Sequence, residues 1–155
     1  MAAEPAAQSP RILVASDFSQ PAEAALEAGI RLAKSRGGSL DIVHVFSYPT
    51  PLAAPYDVAL PPSYLKDTTA LAEKSLDELA ARARESGLRV ATHIASQPTI
   101  DGIVRVAREI GAETIVVGTH GHTGIKHALL GSVAERIVRH APCEVLVARV
   151  PAQSE

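Results

Sequence analysis

The chain has very few aromatic residues and a single cysteine. Phenylalanine, tyrosine and tryptophan together make up 3% of its 155 residues, whereas apolar residues make up 46%. The core must therefore be aliphatic, which is typical of helices packed on a parallel sheet. The lone cysteine, Cys143, excludes an internal disulfide and a cysteine-ligated metal site, and it indicates a reducing compartment.

The sequence also lacks long apolar runs and an excess of positive charge. No stretch approaches a membrane span, and the first ten residues have neither the basic start nor the apolar run of a signal peptide. The formal net charge is −2 without a basic stripe, which disfavours a nucleic-acid partner. We therefore expect a cytoplasmic protein with no membrane or nucleic-acid partner, and one domain at 10–150 between tails at 1–9 and 151–155.

Apolar runs alternate with helical patterns along the chain. Strands are predicted at 11–16, 40–46, 88–95, 113–117 and 144–149. Helices are predicted after Ser19, from about Tyr64 to Ser86, after Pro98 and from Ser132, with glycines 37, 87 and 111 ending the first three. This alternation implies a parallel sheet covered on both faces, which binds ligands where the strand order reverses. Five prolines within 47–63 predict a long loop, of the kind that often acts as a lid.

Four glycines lie between the fourth strand and the last helix, namely Gly118, Gly121, Gly124 and Gly131. Glycine is favoured where backbone approaches a ligand closely or takes a positive φ. A helix N-terminus offers unpaired N–H groups and a positive dipole end to an anion. The segment 132–135 (SVAE) matches a capping box, which places the start of the helix at its serine. A glycine-rich turn needs no ligand, but four glycines within fourteen residues favour a phosphate cradle.

The spacing Gly118-x2-Gly121-x9-Gly131-Ser132 resembles the nucleotide-binding signature of the universal stress proteins. The resemblance runs from Arg11 to Arg149 and includes the segments 14–19, 44–45 and 141–147. It implies an α/β, doubly wound, Rossmann-like domain with a five-stranded parallel sheet in the order 3-2-1-4-5. It also implies ATP binding, a role in stress response or signalling rather than fast catalysis, and a homodimer formed through the last strand, 144–149.

By the same resemblance, the residues expected to contact ATP lie in four short segments. Ala15, Ser16 and Asp17 would lie beside the nucleotide, with Asp17 near the ribose, a phosphate or a magnesium ion. Val45 would pair its backbone with the adenine edge. The ribose and phosphates would be flanked by Val117, Gly118, His120 and Gly121, and the phosphate tail would be held by Gly131, Ser132, Val133 and Ala134.

The sequence departs from the family pattern in three places. Ala15 and Ser16 stand where nucleotide binders often carry proline and threonine, and Ala134 stands where some offer a hydroxyl. These departures remove candidate contacts to the nucleotide. Glu144 stands where a proline is common before the last strand, which alters the edge expected to form the dimer.

Several alternatives stay open at this point. The protein could be a slow ATPase or a self-phosphorylating protein that uses Ser132 or a nearby histidine, or an interaction module of the same fold that binds another adenine ligand or none. Asp17 is explained equally well as a cap of the first helix. If the glycines serve a ligand, valine at Gly118 or Gly131 is expected to abolish binding while the fold is preserved.

Overall fold

The computed structural model describes residues 9–46, 62–95, 98–120 and 130–150. The elements follow in the order β1 (Arg11–Ala15), α1 (Gln20–Arg36), β2 (Ser39–Val45), α2 (Pro62–Glu85), β3 (Val90–Ala95), α3 (Thr99–Ile110), β4 (Thr114–Gly118), α4 (Ser132–His140) and β5 (Glu144–Ala148). All five strands pair in parallel in the order β3-β2-β1-β4-β5. The predicted doubly wound sheet and its strand order are therefore confirmed.

Each face of the sheet carries its own aliphatic core, because alternate strand residues point to opposite faces. On one face α1 and α2 cover a set of buried strand residues, namely Ile12, Val14, Leu40, Ile42 and Val116. On the other face α3 and α4 cover a second set, namely Leu13, Val43, Ile115 and Val117. Among the described helices, none combines the length and the apolar composition needed to cross a bilayer.

The helix ends agree with the local sequence signals. Ser19 is the N-cap of α1, and its Oγ accepts from the N–H of Ala22 at 3.4 Å. Gly37 and Gly111 end α1 and α3 in the left-handed conformation, with φ of 62° and 65°. One boundary was predicted wrongly. Helix α2 begins at Pro62, in the proline-rich segment expected to be a loop, since proline is tolerated in the first turn of a helix.

Asp41 is a charged residue inside the apolar strand β2, and only 1% of its side chain is exposed. Arg11 donates to both carboxylate oxygens, from Nε at 3.1 Å and from Nη2 at 2.7 Å. His93 donates from Nε2 to Oδ1 at 2.7 Å. Burial raises the pKa of Asp41, but the hydrogen bonds from His93 and Arg11 outweigh it and hold that pKa below its ordinary value. This cluster ties β1, β2 and β3 together on the face covered by α3.

Two predicted features lie on residues that the structure does not describe. Residues 47–61, which include most of the expected lid, lie outside the described ranges, as do the tail residues 1–8 and 151–155. The glycines at 121 and 124 also lie outside them.

Candidate functional site

The strand order reverses between β1 and β4, which are neighbours in the sheet. The chain leaves β1 for α1 on one face, and it reaches α4 from β4 on the opposite face. The carboxyl ends of the two strands therefore border a crevice, which is where doubly wound sheets bind their ligands. The segments 15–19, 117–120 and 131–134 all begin or end at this edge.

The turn between β1 and α1 is held by hydrogen bonds from its own side chains. The buried Ser16 donates its N–H to the carbonyl of Val43 at 2.9 Å, and its Oγ accepts from the N–H of Phe18 at 3.1 Å. Asp17 accepts from the N–H of Ser19 through Oδ1 at 3.0 Å. Phe18 has a φ of 63°, the one positive value at a non-glycine residue in the described chain. Such a conformation costs on the order of 1–3 kcal/mol and is found preferentially at functional sites.

Three aromatic rings, those of Phe18, His44 and Phe46, meet at this turn. The imidazole of His44, near the end of β2, stacks on the ring of Phe18 with centroids 4.5 Å apart. It meets the ring of Phe46 edge-on at 5.1 Å. Its Nδ1 lies 2.8 Å from the carbonyl oxygen of Ser16. The end of β2 is thereby joined to the turn that follows β1.

The N–H and C=O of Val45 point to the side of β2 that pairs with β1, but β1 ends before it reaches this residue. Phe46 donates its N–H to Ala95 on the β3 side at 2.8 Å. Successive peptide groups of a strand point to alternate sides, so the N–H and C=O of Val45 point toward β1. Strand β1 ends at Ala15. Ala15 pairs with Val43, which precedes Val45 by two residues. The N–H and C=O of Val45 therefore lie beyond the end of β1, at the edge of the crevice.

Gly118 ends β4 in direct contact with helix α1. A Cβ built on this residue would lie 2.6 Å from the carbonyl oxygen of Pro21 and 2.7 Å from its carbonyl carbon. Contacts under 3.0 Å to backbone require part of the structure to shift. The fold itself thus explains glycine at this position. This finding corrects the expectation that valine at Gly118 would leave folding intact.

Gly131 is confined in a similar way at the start of α4. Its N–H donates to the carbonyl oxygen of Thr119 at 2.6 Å, and a Cβ on it would lie 2.8 Å from that same oxygen. Thr119 in turn donates its N–H to Ala148 of β5 at 3.0 Å. The end of β4 and the beginning of α4 are consequently drawn together. Valine at Gly131 is therefore also expected to disturb the backbone, contrary to the prediction from sequence.

Helix α4 opens toward the crevice without a side-chain cap. The predicted capping box is wrong, because Gly131 is the N-cap and Ser132 is already the first helical residue. Glu135 instead pairs with Arg139 at 2.8 Å along the exposed face of the helix. A glycine N-cap has no side chain to accept from the first N–H groups of the helix. Ser132 and Val133, the first two residues of the helix, are exposed.

The carboxylate of Asp17 takes part in the structure of the turn. Its hydrogen bond to Ser19 closes the turn before α1, so the side chain has a structural role there, but the N-cap of the helix is Ser19 and not Asp17. The turn still places Asp17 at the carboxyl end of β1, beside the crevice. Within the described ranges, no three His, Cys, Asp or Glu side chains form a group that could hold a metal ion.

The structure brings nearly all the residues predicted for the site to one edge of the sheet. Val117 and Ala134 are buried, so only their backbone can reach a ligand. His120 is partly buried just beyond β4, and Gly121 lies outside the described residues. The strained conformation of Phe18 and the packing of Pro21 on Gly118 were not predicted from the sequence. No local pattern marks either feature, although an aromatic residue in a turn with two hydroxyls is a weak signal.

Comparison with known proteins gives concordant results. The profile of the universal stress protein family matches residues 9–149. Universal stress protein YxiE of Bacillus subtilis is 30% identical over 145 residues, covering 90% of this chain and 98% of its own. A crystal structure from the same family in Burkholderia pseudomallei is 35% identical, with a TM-score of 0.68 and coverage of 96% of this chain and 100% of that one. The universal stress protein of Archaeoglobus fulgidus in complex with dAMP has a TM-score of 0.61 at 22% identity, covering 90% of this chain and 97% of that one.

Proposed function

Starting from the premise that this chain belongs to the universal stress protein family, we propose that it binds ATP in the crevice between β1 and β4. A more distant member of the fold is described in complex with dAMP, which supports an adenine nucleotide as the ligand class. The observation that carries the proposal is the start of α4 at this crevice, with a glycine N-cap and two exposed residues after it. A helix terminus of this kind attracts the negative charge of a phosphate chain.

The proposed ATP spans the crevice from β2 to α4. Its adenine edge bonds the backbone of Val45, and its ribose lies near Ala15, Ser16 and Asp17. The phosphates pass His120 and the 118–121 segment and end on the N–H groups of residues 131–134. Asp17 is the candidate ligand for a magnesium ion carried by the nucleotide.

The nucleotide serves as a structural or signalling ligand in this proposal, in a cytoplasmic protein that responds to stress. Fast phosphoryl transfer needs a positioned nucleophile and charge neutralisation on the γ-phosphate. The described part of the crevice offers backbone amides, the Ser132 hydroxyl, the His120 imidazole and the Asp17 carboxylate, and Asp17 is engaged in the turn. We therefore expect ATP to survive prolonged incubation with the protein.

Ser132→Asp is expected to weaken ATP binding without weakening the fold. A carboxylate in the first turn complements the helix dipole and stabilises α4 by about 0.3–1 kcal/mol. The same charge repels a phosphate at this terminus, because two unit charges 4 Å apart interact by about 4 kcal/mol near a protein surface. We expect ATP affinity to fall at least tenfold, that is by about 1.4 kcal/mol, in isothermal titration calorimetry.

Ser132→Asn is the matched control, because it changes the side chain at the same position without adding charge. Its affinity for ATP should stay near that of the unmodified protein. Equal affinity in the aspartate and asparagine variants would show that the phosphates lie elsewhere, and the site assignment would be dropped.

We further propose that two copies of the chain pair through β5. Ala148 accepts from Thr119 on the β4 side, so the peptide groups of Val145 and Val147 point to the outer edge of the sheet. Unpaired strand edges favour association with another strand. Glu144, which departs from the family pattern, accepts from Arg36 at 3.1 Å and from Thr114 at 3.2 Å within its own chain. It thus leaves the outer edge of β5 to a partner.

Val147→Pro is expected to convert the dimer to monomers in sedimentation-velocity experiments. Proline removes the outward N–H of residue 147 but none of the bonds between β4 and β5. Val147→Ala is the control, since it reduces the side chain and keeps the N–H. A proline variant that sediments as a dimer would rule out pairing through this edge.

A further inference from the structure

We propose that His44 is a positioning residue that holds the strained turn between β1 and α1 in the conformation that presents Ser16 and Asp17 to the nucleotide. The last part of this statement rests on the proposed ATP site. The first part concerns the ligand-free protein and can be tested without nucleotide.

The turn contains a conformation that its own sequence disfavours. Phe18 has a φ of 63°, which glycine adopts readily and which asparagine and aspartate tolerate better than other residues. A phenylalanine persists there only if its surroundings determine the conformation. The local hydrogen bonds that Ser16 Oγ and Asp17 Oδ1 accept are shared by many turns that have no such strain. A contact from outside the turn is therefore the natural candidate for the additional constraint.

His44 supplies that contact at two points of the turn. Its Nδ1 lies 2.8 Å from the carbonyl oxygen of Ser16, and a carbonyl can only accept, so Nδ1 carries the hydrogen. Its ring stacks on Phe18 with centroids 4.5 Å apart. The two contacted residues flank Asp17 in the sequence. The imidazole thereby contacts both sequence neighbours of Asp17.

The imidazole is itself fixed from β2. The backbone around it bonds to β3 through Phe46, whose ring also meets the imidazole edge-on at 5.1 Å. The turn continues directly into the N-cap Ser19 and then to Pro21, whose carbonyl lies against Gly118. His44 therefore lies at one end of a connected series of contacts that runs from β2 across the turn to the end of β4. Loosening it is expected to release the turn first, since the sheet bonds of β1 and β2 do not depend on the imidazole.

Four variants of the full chain test this inference, namely His44→Leu, His44→Asn, Phe18→Gly and the double variant Phe18→Gly/His44→Leu. Leucine removes the donor and the stacking ring. Asparagine keeps an N–H donor close to the position of Nδ1, so it should restore part of what leucine loses. Glycine at 18 adopts the positive φ without strain, so it should make the turn independent of His44.

The first readout is amide hydrogen exchange at Phe18 and Ser19 in the ligand-free protein. In His44→Leu we expect both amides to exchange about tenfold faster than in the unmodified protein, because the turn opens locally. In the double variant, exchange at these positions should return to the level of Phe18→Gly alone. If His44 only filled space, these amides would exchange faster in the double variant than in either single variant. This result would overturn the inference. Unchanged exchange in His44→Leu would overturn it as well.

The second readout is the affinity for Mg-ATP by calorimetry. We expect His44→Leu to bind about tenfold more weakly, a change of about 1.4 kcal/mol. The double variant should recover affinity even though its melting temperature falls further with the loss of the Phe18 ring. If His44 had only a structural role, the affinity for Mg-ATP and the melting temperature would fall together. If the unmodified protein binds no ATP, the proposed function fails, whereas the exchange data still decide whether His44 positions the turn.

Discussion

Gly118→Val should destabilise the protein by about 3 kcal/mol or more, a larger effect than overpacking usually has. The added Cβ would lie 2.6 Å from the carbonyl oxygen of Pro21, and this neighbour is backbone at the start of α1 rather than a flexible side chain. Either α1 or β4 must move, and both border the crevice. For a domain of this size the melting temperature should fall by roughly 6–12 °C in circular dichroism.

Gly37→Ala provides the control for this prediction. Gly37 has a φ of 62° but no atom within 4 Å of a built Cβ, whereas Gly118 has no positive φ. The control therefore measures the conformational cost alone, about 1–2 kcal/mol. If Gly118→Val were as stable as the unmodified protein and lost only ATP affinity, the glycine would serve the ligand, and our structural explanation of it would be wrong.

Asp41→Ala should lower the free energy of unfolding by about 2–3 kcal/mol. Removing one partner of a fully buried ion pair typically costs about 3–5 kcal/mol. The loss is smaller here, because 39% of the Arg11 side chain is exposed and can regain water. Glu113→Gln is the control, since Glu113 pairs with Arg36 at the surface and such pairs contribute about 0–1 kcal/mol. Urea titration measures both variants on one scale, and equal losses would contradict a special role for Asp41.

The lowered pKa of Asp41 also predicts how the free energy of unfolding changes at acid pH. The pKa of Asp41 is lower in the folded chain than its ordinary value, so ionised Asp41 contributes stability above about pH 4, the pKa region of an unfolded aspartate. That contribution is lost as the pH falls through the folded pKa. The difference in unfolding free energy between the unmodified protein and Asp41→Asn should therefore shrink as the pH falls below about 4. A constant difference down to pH 2 would contradict the assignment.

Local patterns predicted most of the fold because each element carries its own signals. Ser19 and the glycines at 37 and 111 mark helix ends that the structure confirms. Apolar runs mark the strands to within about two residues. The strand order was not visible in these patterns and came from family resemblance, since it depends on which strands pair across long sequence separations.

The meeting of the β1 and β4 ends was predicted, but the contacts that surround them were not. The segments ending β1 and β4 do meet at the strand reversal, as the resemblance implied. The sequence alone did not reveal why glycine is required at positions 118 and 131. Gly118 is explained by Pro21, 97 residues earlier in the chain, and Gly131 by the carbonyl of Thr119. The capping-box pattern at 132–135 failed because the helix begins one residue earlier than its serine implies. Contacts between distant segments, unlike caps and periodicity, leave no local pattern.

The central claim is that the open start of α4 at the strand reversal binds the phosphates of ATP. Thermal unfolding in the presence of increasing Mg-ATP tests it most directly. A ligand at 100 times its Kd stabilises the folded state by about 2.7 kcal/mol, so the melting temperature should rise by roughly 5–11 °C and continue to rise with the logarithm of concentration. A melting temperature that stays constant up to millimolar Mg-ATP would contradict the account.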